Sequence, residues 1–436
     1  MDYSNQLKLI EKKILELSKQ YFQIKFSNTD FIPFISQVPV SGKVLSYEDL
    51  KYTILSTLDM WYTSGEYTKK FEKEISKKLG ARHCLFVNSG SSANLLAITA
   101  LKEYYRLDDG DEIITSAVGF PTTINPIIQN NLIPVLIDAE EETLNINTDL
   151  IESHISDKTK GIVIAHTLGN PFDLEKIIDL CKKYDLFLME DNCDAFGSKF
   201  NQKFTGTFGD VSTLSFYPAH HITTGEGGAV ITDNTKLKKI MESIRDWGRD
   251  CYCPPGKDNT CKKRYEWQLG ELPKGYDHKY IYSHIGYNLK ASDMQAALGF
   301  SQINKLDEFI KIRKRNYQYL YNSFKSFKEF KLISNQVNSE PSWFGFPVIL
   351  KNNKNFTRND LLKFYEERNI GTRLLFGGNL KRQPAYSNLN FKSSTLSVAD
   401  NIIENCFWLG VYPGLELDML KFVVDSTKEF LDSYEN

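Results

Sequence analysis

Residues 84–105 read CLFVNSGSSANLLAITALKEYY and contain the unit that decides the fold. A short apolar run is followed by a turn of small residues, 89–92, and then by a helical pattern of apolar residues. Similar continuous apolar runs recur along the chain: DEIITSAV (111–118), IPVLIDA (133–139), KGIVIAHTL (160–168), LFLMED (186–191), STLSFYP (212–218) and GGAVITD (227–233). Continuous apolar strands that alternate with helices predict an α/β fold whose mostly parallel central sheet is covered on both faces.

The bulk composition excludes several classes of protein. The chain has 436 residues, 41% of them apolar, and a formal net charge of −2, so it has no basic excess for general nucleic-acid binding. No apolar run approaches the roughly 18 residues of a membrane helix, and the N-terminal segment lacks the unbroken apolar core of a signal peptide. An odd number of cysteines, seven, argues against a disulfide framework. We therefore expect a cytoplasmic protein that binds neither nucleic acid nor membrane.

Changes of pattern along the chain predict three regions. Residues 1–40 form an N-terminal helical extension and a Pro-containing linker. Residues 41–310 form a large α/β domain, which includes an irregular loop over 250–285 that is rich in Cys, Gly, Pro, Lys and Tyr. Residues 311–436 mix strands and helices in a smaller C-terminal α+β domain.

Two polar features lie where predicted strands end. The turn that contains Ser91 and Ser92 opens a helix, and free backbone N–H groups at a helix start can bind an anion such as a phosphate. An ordinary serine N-cap is the alternative. Asp191 ends the strand LFLMED, at the edge where parallel sheets place functional groups. It could bind a metal, a ribose or a protonated ring nitrogen, or it could be a solvated loop acid.

A third feature is the stretch SFYPAHHITTGEGGAV, residues 215–230. A β-like run, 215–217, ends at Pro218, and two adjacent histidines, His220 and His221, precede a glycine-rich turn. Neighbouring residues of an extended chain point to opposite faces, so two adjacent histidines rarely bind one metal ion. We expect one of them to face a site and the other to pack or be solvated.

In this order, the three features resemble the nucleotide-sugar aminotransferase and dehydratase family, vitamin B6 enzymes of aspartate aminotransferase-like fold (fold type I). The resemblance extends over nearly the whole chain from about Ser41 and implies that 41–310 binds the cofactor. It implies that Asp191 keeps the pyridine nitrogen protonated, which makes the ring an electron sink. The other implied cofactor contacts are Ser91, Ser92 and Ser215 to the phosphate, Phe120 to the ring, and Asn288 to the phosphate of the neighbouring subunit. A homodimer with shared active sites follows from the last of these contacts.

One position departs from the aminotransferases of this family. Where they carry the lysine that forms a Schiff base with pyridoxal phosphate, this chain carries His220. An imidazole cannot form that bond, so the resemblance narrows to the 3-dehydratases, with pyridoxamine 5'-phosphate (PMP) held non-covalently. His220, with an ordinary pKa of about 6.5, would act as a base. Tyr217 and Asp194 border the site and would help to position it.

The resemblance also implies a substrate class. A 3-dehydratase of this kind removes the C3 hydroxyl of a nucleotide-linked 4-keto-6-deoxyhexose, and CDP is the favoured nucleotide. The product would be a 3,6-dideoxy-4-ketohexose for lipopolysaccharide O-antigens.

Four cysteines form a further pattern, with the spacing C-x57-C-x-C-x7-C. In an iron–sulfur 3-dehydratase of this family such thiolates hold a [2Fe–2S] cluster, and the resemblance transfers that role to Cys193, Cys251, Cys253 and Cys261. A partner flavin/iron–sulfur reductase that uses NADH would supply its electrons. Zinc is the competing metal, because four thiolates suit it equally. The position of Cys193, two residues after Asp191, favours iron, since an electron carrier is useful beside the cofactor.

Two other functions stay open at this point. The chain could be a cluster-independent sugar 3-dehydratase in which the cysteines have no role. It could also be a non-catalytic, metal-binding subunit with the aminotransferase fold. Iron and sulfide content distinguishes both from the iron–sulfur enzyme.

Overall fold

A large sheet lies at the centre of the computed structural model, which describes residues 3–27, 30–351, 355–389 and 391–435. The predicted extension 1–40 and the predicted C-terminal domain 311–436 each include residues outside these ranges. The strands are β1 (His83–Val87), β2 (Glu112–Ser116), β3 (Ile133–Ile137), β4 (Thr159–Ala165), β5 (Phe187–Asp191), β6 (Lys199–Phe200), β7 (Lys203–Phe204), β8 (Val211–Ser215), β9 (Gly228–Thr232), β10 (Phe330–Leu332), β11 (Ser339–Glu340), β12 (Gly345–Leu350), β13 (Thr372–Arg373), β14 (Lys392–Ser393) and β15 (Cys406–Gly410). The α-helices are α1 (Tyr3–Lys25), α2 (Tyr47–Leu58), α3 (Glu66–Leu79), α4 (Gly90–Tyr105), α5 (Pro121–Gln129), α6 (Leu174–Tyr184), α7 (Thr235–Arg245), α8 (Asp293–Gln302), α9 (Leu306–Phe324), α10 (Arg358–Glu367), α11 (Ser397–Asn405) and α12 (Leu417–Glu435).

The central sheet is 8-stranded, with the order β1-β9-β8-β5-β4-β2-β3-β14. Neighbouring strands pair in parallel except where β9 pairs with β1 and with β8. The predicted mostly parallel α/β sheet is therefore confirmed. Because β1, β8, β5, β4 and β2 run in the same direction, their carboxyl ends meet at one edge, where open α/β sheets bind ligands.

Both faces of this sheet are covered, as the continuous apolar strands predict. Along β5, Leu188 packs in a cluster with α6, whereas Met189 packs on the opposite face with α4 and α7. The strand is buried along its whole length. Burial on both faces leaves only the strand ends for polar chemistry, which is where Asp191 lies.

The carboxyl-terminal part of the chain forms a smaller antiparallel sheet with the order β10-β12-β15-β13. It packs with α9, α10 and α12 in the largest apolar cluster. The short strand β14 pairs with β3 at the edge of the central sheet instead. Residue 311, the predicted start of the small domain, falls inside α9, which contributes to both parts of the molecule.

Two further sequence expectations can be compared with the structure. The loop 250–285 contains a 3-10 turn at His278–Tyr280 and is otherwise irregular, as predicted. The β-like run at 215–217 is shorter than expected: β8 ends at Ser215, because a tight turn follows in which the His220 N–H donates to the Tyr217 carbonyl. Among the described residues, no helix is both long and apolar enough to cross a membrane.

Candidate active site

A cavity of about 850 Å³ opens at the carboxyl edge of the central sheet. Strand ends, the first turn of α4, the start of α5 and segments next to the small sheet form its walls. It brings together most of the site residues that the sequence predicts: Ser91, Phe120, Asp191, Cys193, Asp194, Ser215, Tyr217 and His220. Ser92 and Asn288 are not among its lining residues.

Asp191 is a buried carboxylate held by three donors. The Asn94 side-chain amide and the Thr123 hydroxyl donate to its Oδ2 at 2.9 and 2.7 Å, and the Cys193 N–H donates to Oδ1 at 3.2 Å. Asn94 is itself oriented by the hydroxyl of Thr213, which donates to its Oδ1 at 2.6 Å. These donors fix the orientation of the carboxylate at the edge of the sheet.

Sequence reasoning missed Asn94 and Thr123 as site residues. A signal was present in each case, because Asn94 interrupts the apolar pattern of ANLLAI and Thr123 follows the predicted stacking residue in GFPTT. Neither signal indicates which residue the side chain contacts. Only the fold brings both side chains to one carboxylate.

The first turn of α4 lies at the wall of the cavity. The Ser89 hydroxyl caps the helix: it accepts from the Ser92 N–H at 3.0 Å and lies 2.9 Å from the Ser92 hydroxyl. Ser89, Gly90 and Ser91 line the cavity. The predicted contact of Ser92 with a phosphate stays a prediction. Gly90 is required here, because a Cβ at this position would lie 2.5 Å from that of Ser215.

His220 follows β8 and faces the same cavity. Its side chain is 15% exposed, and Nδ1 lies 3.6 Å from Asp194 Oδ1. Burial, with a contribution from the nearby Arg313 charge, lowers the pKa of His220 to about 4. The imidazole is therefore neutral at neutral pH but less basic than the value of about 6.5 that the sequence alone suggests. Burial, together with the neighbouring Asp191 carboxylate, raises the pKa of Asp194 to about 8.

The second histidine has a packing role. His221 is 2% exposed, and its Nε2 lies 2.9 Å from the Ser342 carbonyl. Of the two histidines, His220 lines the large cavity and His221 does not.

Two aromatic side chains border the cavity, and one predicted contact lies outside it. Phe120 and Tyr217 line the cavity and are each about half exposed, so their rings have free surface for a ligand. Asn288 is exposed and pairs through its backbone with Asp246. Its predicted role at a neighbouring subunit's phosphate stays a prediction.

The structure does not bring the four predicted cluster ligands together. Cys193 lines the large cavity, whereas Cys251, Cys253 and Cys261 line a separate, small cavity in the loop 250–285. Burial and the Asp191 carboxylate raise the pKa of the Cys193 thiol well above its ordinary value. Within the described part of the chain, no group of three or more His, Cys, Asp or Glu side chains has the arrangement of a metal site. The four thiols of one chain, as they lie, do not fit a [2Fe–2S] cluster.

A comparison with family models identifies the family. The model of the DegT/DnrJ/EryC1/StrS aminotransferase family matches residues 47–428, which is most of the chain. The chain belongs to this family.

Several members of the DegT/DnrJ/EryC1/StrS family are similar over nearly their whole length. The chain is 50% identical over 427 residues to the lipopolysaccharide biosynthesis protein RfbH of Salmonella typhimurium, which covers 97% of this chain and 98% of RfbH. It is 46% identical over 424 residues to dTDP-4-dehydro-2,6-dideoxy-D-glucose 3-dehydratase of Saccharopolyspora spinosa, over 96% of this chain and 92% of that protein. The structure of Escherichia coli GDP-4-keto-6-deoxy-D-mannose-3-dehydratase with bound hydrated PLP matches with a TM-score of 0.80 and 30% identity, over 89% of this chain and 98% of that chain. The predicted fold and the predicted family are confirmed.

The donors that line the cavity fit the B6 cofactor of this family. Asp191 offers a carboxylate for a protonated ring nitrogen, and the turn 89–91 offers helix-start N–H groups and hydroxyls for a phosphate. Phe120 offers a half-exposed ring face. Among its lining residues in the described chain, the cavity presents His220 and no lysine.

Removing the Thr123 hydroxyl should weaken cofactor binding. T123V keeps the shape of the side chain but deletes one of the three donors to Asp191, so we expect about tenfold weaker binding of PMP. A spectrophotometric titration of the apoprotein measures this affinity. T99V is the matched control, because the Thr99 hydroxyl donates to the Leu95 carbonyl within α4 and makes no contact with Asp191. Equal PMP affinities for T123V and wild type would contradict the expected pairing of Asp191 with the ring nitrogen of the cofactor.

Proposed function

We propose that this protein removes the C3 hydroxyl of a nucleotide-linked 4-keto-6-deoxyhexose with PMP held non-covalently in the 850 Å³ cavity. The observation that carries the proposal is the neutral imidazole of His220, which shares the cavity with the fixed carboxylate of Asp191. Relatives that are similar over most of the chain are named as 3-dehydratases of dTDP- and GDP-linked sugars, which supports this reaction over amination.

Each residue has a defined task in this proposal. When bound, PMP supplies the amine that condenses with the 4-keto group and the ring that takes up electrons. Asp191 pairs with the ring nitrogen and keeps it protonated. Ser91, Ser92 and Ser215 hold the phosphate, and Phe120 covers one face of the ring. Asn288 reaches the phosphate of the neighbouring subunit.

His220 is the proposed base, which accepts a proton during the dehydration. Its Nδ1 is buried beside Asp194, so we assign proton abstraction to the other ring nitrogen, Nε2. The low pKa keeps Nε2 free to accept a proton throughout the neutral range. Tyr217, half exposed at the rim of the cavity, and Asp194 are proposed to position the base and the substrate.

The substrate and the electron supply are the finer parts of the proposal. The cysteine spacing resembles that of CDP-6-deoxy-L-threo-D-glycero-4-hexulose 3-dehydrase, so we favour a CDP-linked substrate, a [2Fe–2S] cluster and an NADH-dependent flavin/iron–sulfur reductase as partner. The proposed product is a 3,6-dideoxy-4-ketohexose, and the proposed assembly is a homodimer. Because the four thiols do not converge in one chain, the cluster rests on sequence spacing alone.

Turnover assays test the reaction and the nucleotide. Purified protein with PMP is supplied with CDP-, dTDP- and GDP-linked 4-keto-6-deoxyhexoses, together with NADH and an NADH-dependent flavin/iron–sulfur reductase that provide the two electrons. Loss of the C3 hydroxyl is followed by mass spectrometry. Dehydration of the CDP-linked sugar supports the proposed reaction and the proposed nucleotide. Dehydration of only the dTDP- or GDP-linked sugar keeps the reaction and corrects the nucleotide. Transfer of an amino group without dehydration would overturn the proposal.

The cluster has its own test, which does not depend on turnover. Protein isolated without oxygen should be brown and contain about two iron and two sulfide per chain. C251A and C193A should both lose iron and sulfide. C181A is the matched control, since Cys181 is a buried residue of α6 with no proposed role. Colourless protein would contradict the cluster, and a brown C193A protein would remove Cys193 from the ligand set.

A further inference from the structure

We propose that Arg313 is a positioning residue for His220: its guanidinium connects the backbone that carries the base to the segment 343–344, which leads into the small sheet. This inference rests on the proposed role of His220. Arg313 lies on α9, in a stretch that carries no sequence motif, and its side chain is completely buried.

The guanidinium donates two hydrogen bonds to each of two chain segments. Nη2 donates to the carbonyls of Ala219 and His220 at 3.4 and 3.1 Å. Nη1 donates to the carbonyls of Trp343 and Phe344 at 3.3 and 3.2 Å. The first segment follows β8 of the central sheet and the second leads into β12 of the small sheet. A planar, rigid fork can span both pairs of carbonyls, which the single point charge of a lysine cannot do.

The Arg313 guanidinium also lies near the aromatic ring beside the His220 imidazole. The Phe344 ring lies 5.1 Å from the His220 ring, and both residues line the cavity. Arg313 Cζ is 5.9 Å from the centre of the Phe344 ring. The position of His220 is thus constrained twice through Arg313, once at its own carbonyl and once through the neighbouring ring.

The surroundings of Arg313 offer a buried positive charge little compensation, so stability alone does not explain the residue. Among the described residues its hydrogen-bond partners are four neutral carbonyls, and its Nε is buried without a partner. Burial lowers the pKa of Arg313 to about 9, partly offset by the Asp194 carboxylate. Apolar residues often replace buried charges without loss of stability, so a buried cation at this position points to a specific geometric task.

The test compares two buried arginines of similar chemistry. R313K retains the charge but loses the fork. R358K is the matched control, because Arg358 is 9% exposed, also donates to backbone carbonyls (Ile403 and Cys406), also has a buried Nε without a partner, and does not line the cavity. Both proteins are assayed as PMP-loaded holoenzyme for kcat, KM, PMP affinity and melting temperature.

For R313K we expect kcat to fall by about 100-fold, because a displacement of about 1 Å at a reacting group has an effect of that order. KM and PMP affinity should stay within about threefold, since the groups that bind the ligands are untouched. R358K should keep the wild-type kcat, even where its melting temperature falls as far as that of R313K. A kcat of R313K within about threefold of wild type would overturn the proposal, and so would an equal loss of kcat in R358K.

Crystal structures of the PMP-loaded wild type and R313K separate this inference from the proposed function. If the wild type dehydrates none of the sugars, the proposed function fails. The position of the His220 ring in the two structures still tests whether Arg313 positions His220. A displaced His220 ring in R313K supports the positioning role of Arg313, and an unmoved ring overturns it. If R313K does not fold, R313Q takes its place, because a glutamine amide can donate to one pair of carbonyls but cannot span both. An undisplaced imidazole in R313Q would overturn the proposal.

Discussion

Replacement of His220 by asparagine is expected to lower kcat for C3 dehydration by about 10²–10⁴-fold, the range that a general base contributes. Asparagine keeps a polar side chain of similar reach but cannot accept and hold a proton at neutral pH. Affinity for PMP should be unchanged, because Asp191 and the turn 89–91 retain their contacts. Single-turnover kinetics with saturating sugar measure the chemical step, and absorbance titration measures PMP binding.

H221N is the paired control for this experiment. His221 is buried and bonded to the Ser342 carbonyl, so its replacement should lower the melting temperature. It should lower kcat by less than about tenfold, since the residue does not line the cavity. More than a tenth of the wild-type rate in H220N would show that another group is the base.

Replacement of Glu190 by glutamine is expected to lower the free energy of unfolding by about 3–5 kcal/mol. Glu190 is completely buried. Its two oxygens accept from the N–H groups of Gly206, Phe208 and Gly209 at 2.7–2.8 Å and from His166 at 3.1 Å. An amide NH2 in place of one oxygen would face donors and leave them unpaired. Urea denaturation measures the loss.

The pH dependence of this effect has a definite sign. Burial disfavours the Glu190 carboxylate, but the hydrogen bonds from His166 and the backbone outweigh it and hold the pKa of Glu190 below its ordinary value of 4.5. The stabilisation is therefore complete above pH 4.5 and is lost as the pH falls through the lower folded-state pKa. The difference in unfolding free energy between wild type and E190Q should narrow at acidic pH.

E340Q provides the comparison at the surface. Glu340 pairs with Lys314 at 3.4 Å, and both side chains are about 40% exposed. Loss of such a pair changes the free energy of unfolding by about 0–1 kcal/mol. If E190Q and E340Q had equal effects, the buried network would not stabilise the fold as we infer.

Much of the active site could be predicted from the sequence because of the way parallel sheets are built. Strands buried on both faces are mainly apolar, so polar residues at and just after their carboxyl ends mark the ligand-binding edge. Asp191, Ser215 and His220 all satisfy this rule, and the cavity contains all three. The absence of a lysine at position 220 is likewise a property of the sequence alone.

Other parts of the site could not be predicted, since they depend on which segments meet. Asn94 and Asp191 are 97 positions apart, and Arg313 is 93 positions from His220. No local pattern pairs such residues. Which residues of the turn 89–92 line the cavity also depends on the rotation of the first turn of α4, which places the Ser92 hydroxyl against the capping hydroxyl of Ser89.

The sequence by itself determined the order of strands and helices along the chain and the chemical identity of the groups at the strand ends, including an imidazole in place of a lysine. Only the tertiary structure decided that Cys193 lies in the cofactor cavity, apart from the three loop cysteines, and that His220 has a pKa of about 4. The physical reason is the same in both cases. The residues that share a site, and the pKa of a side chain, depend on distances and burial that segments remote in sequence create. Strand and helix patterns, in contrast, depend on neighbouring residues.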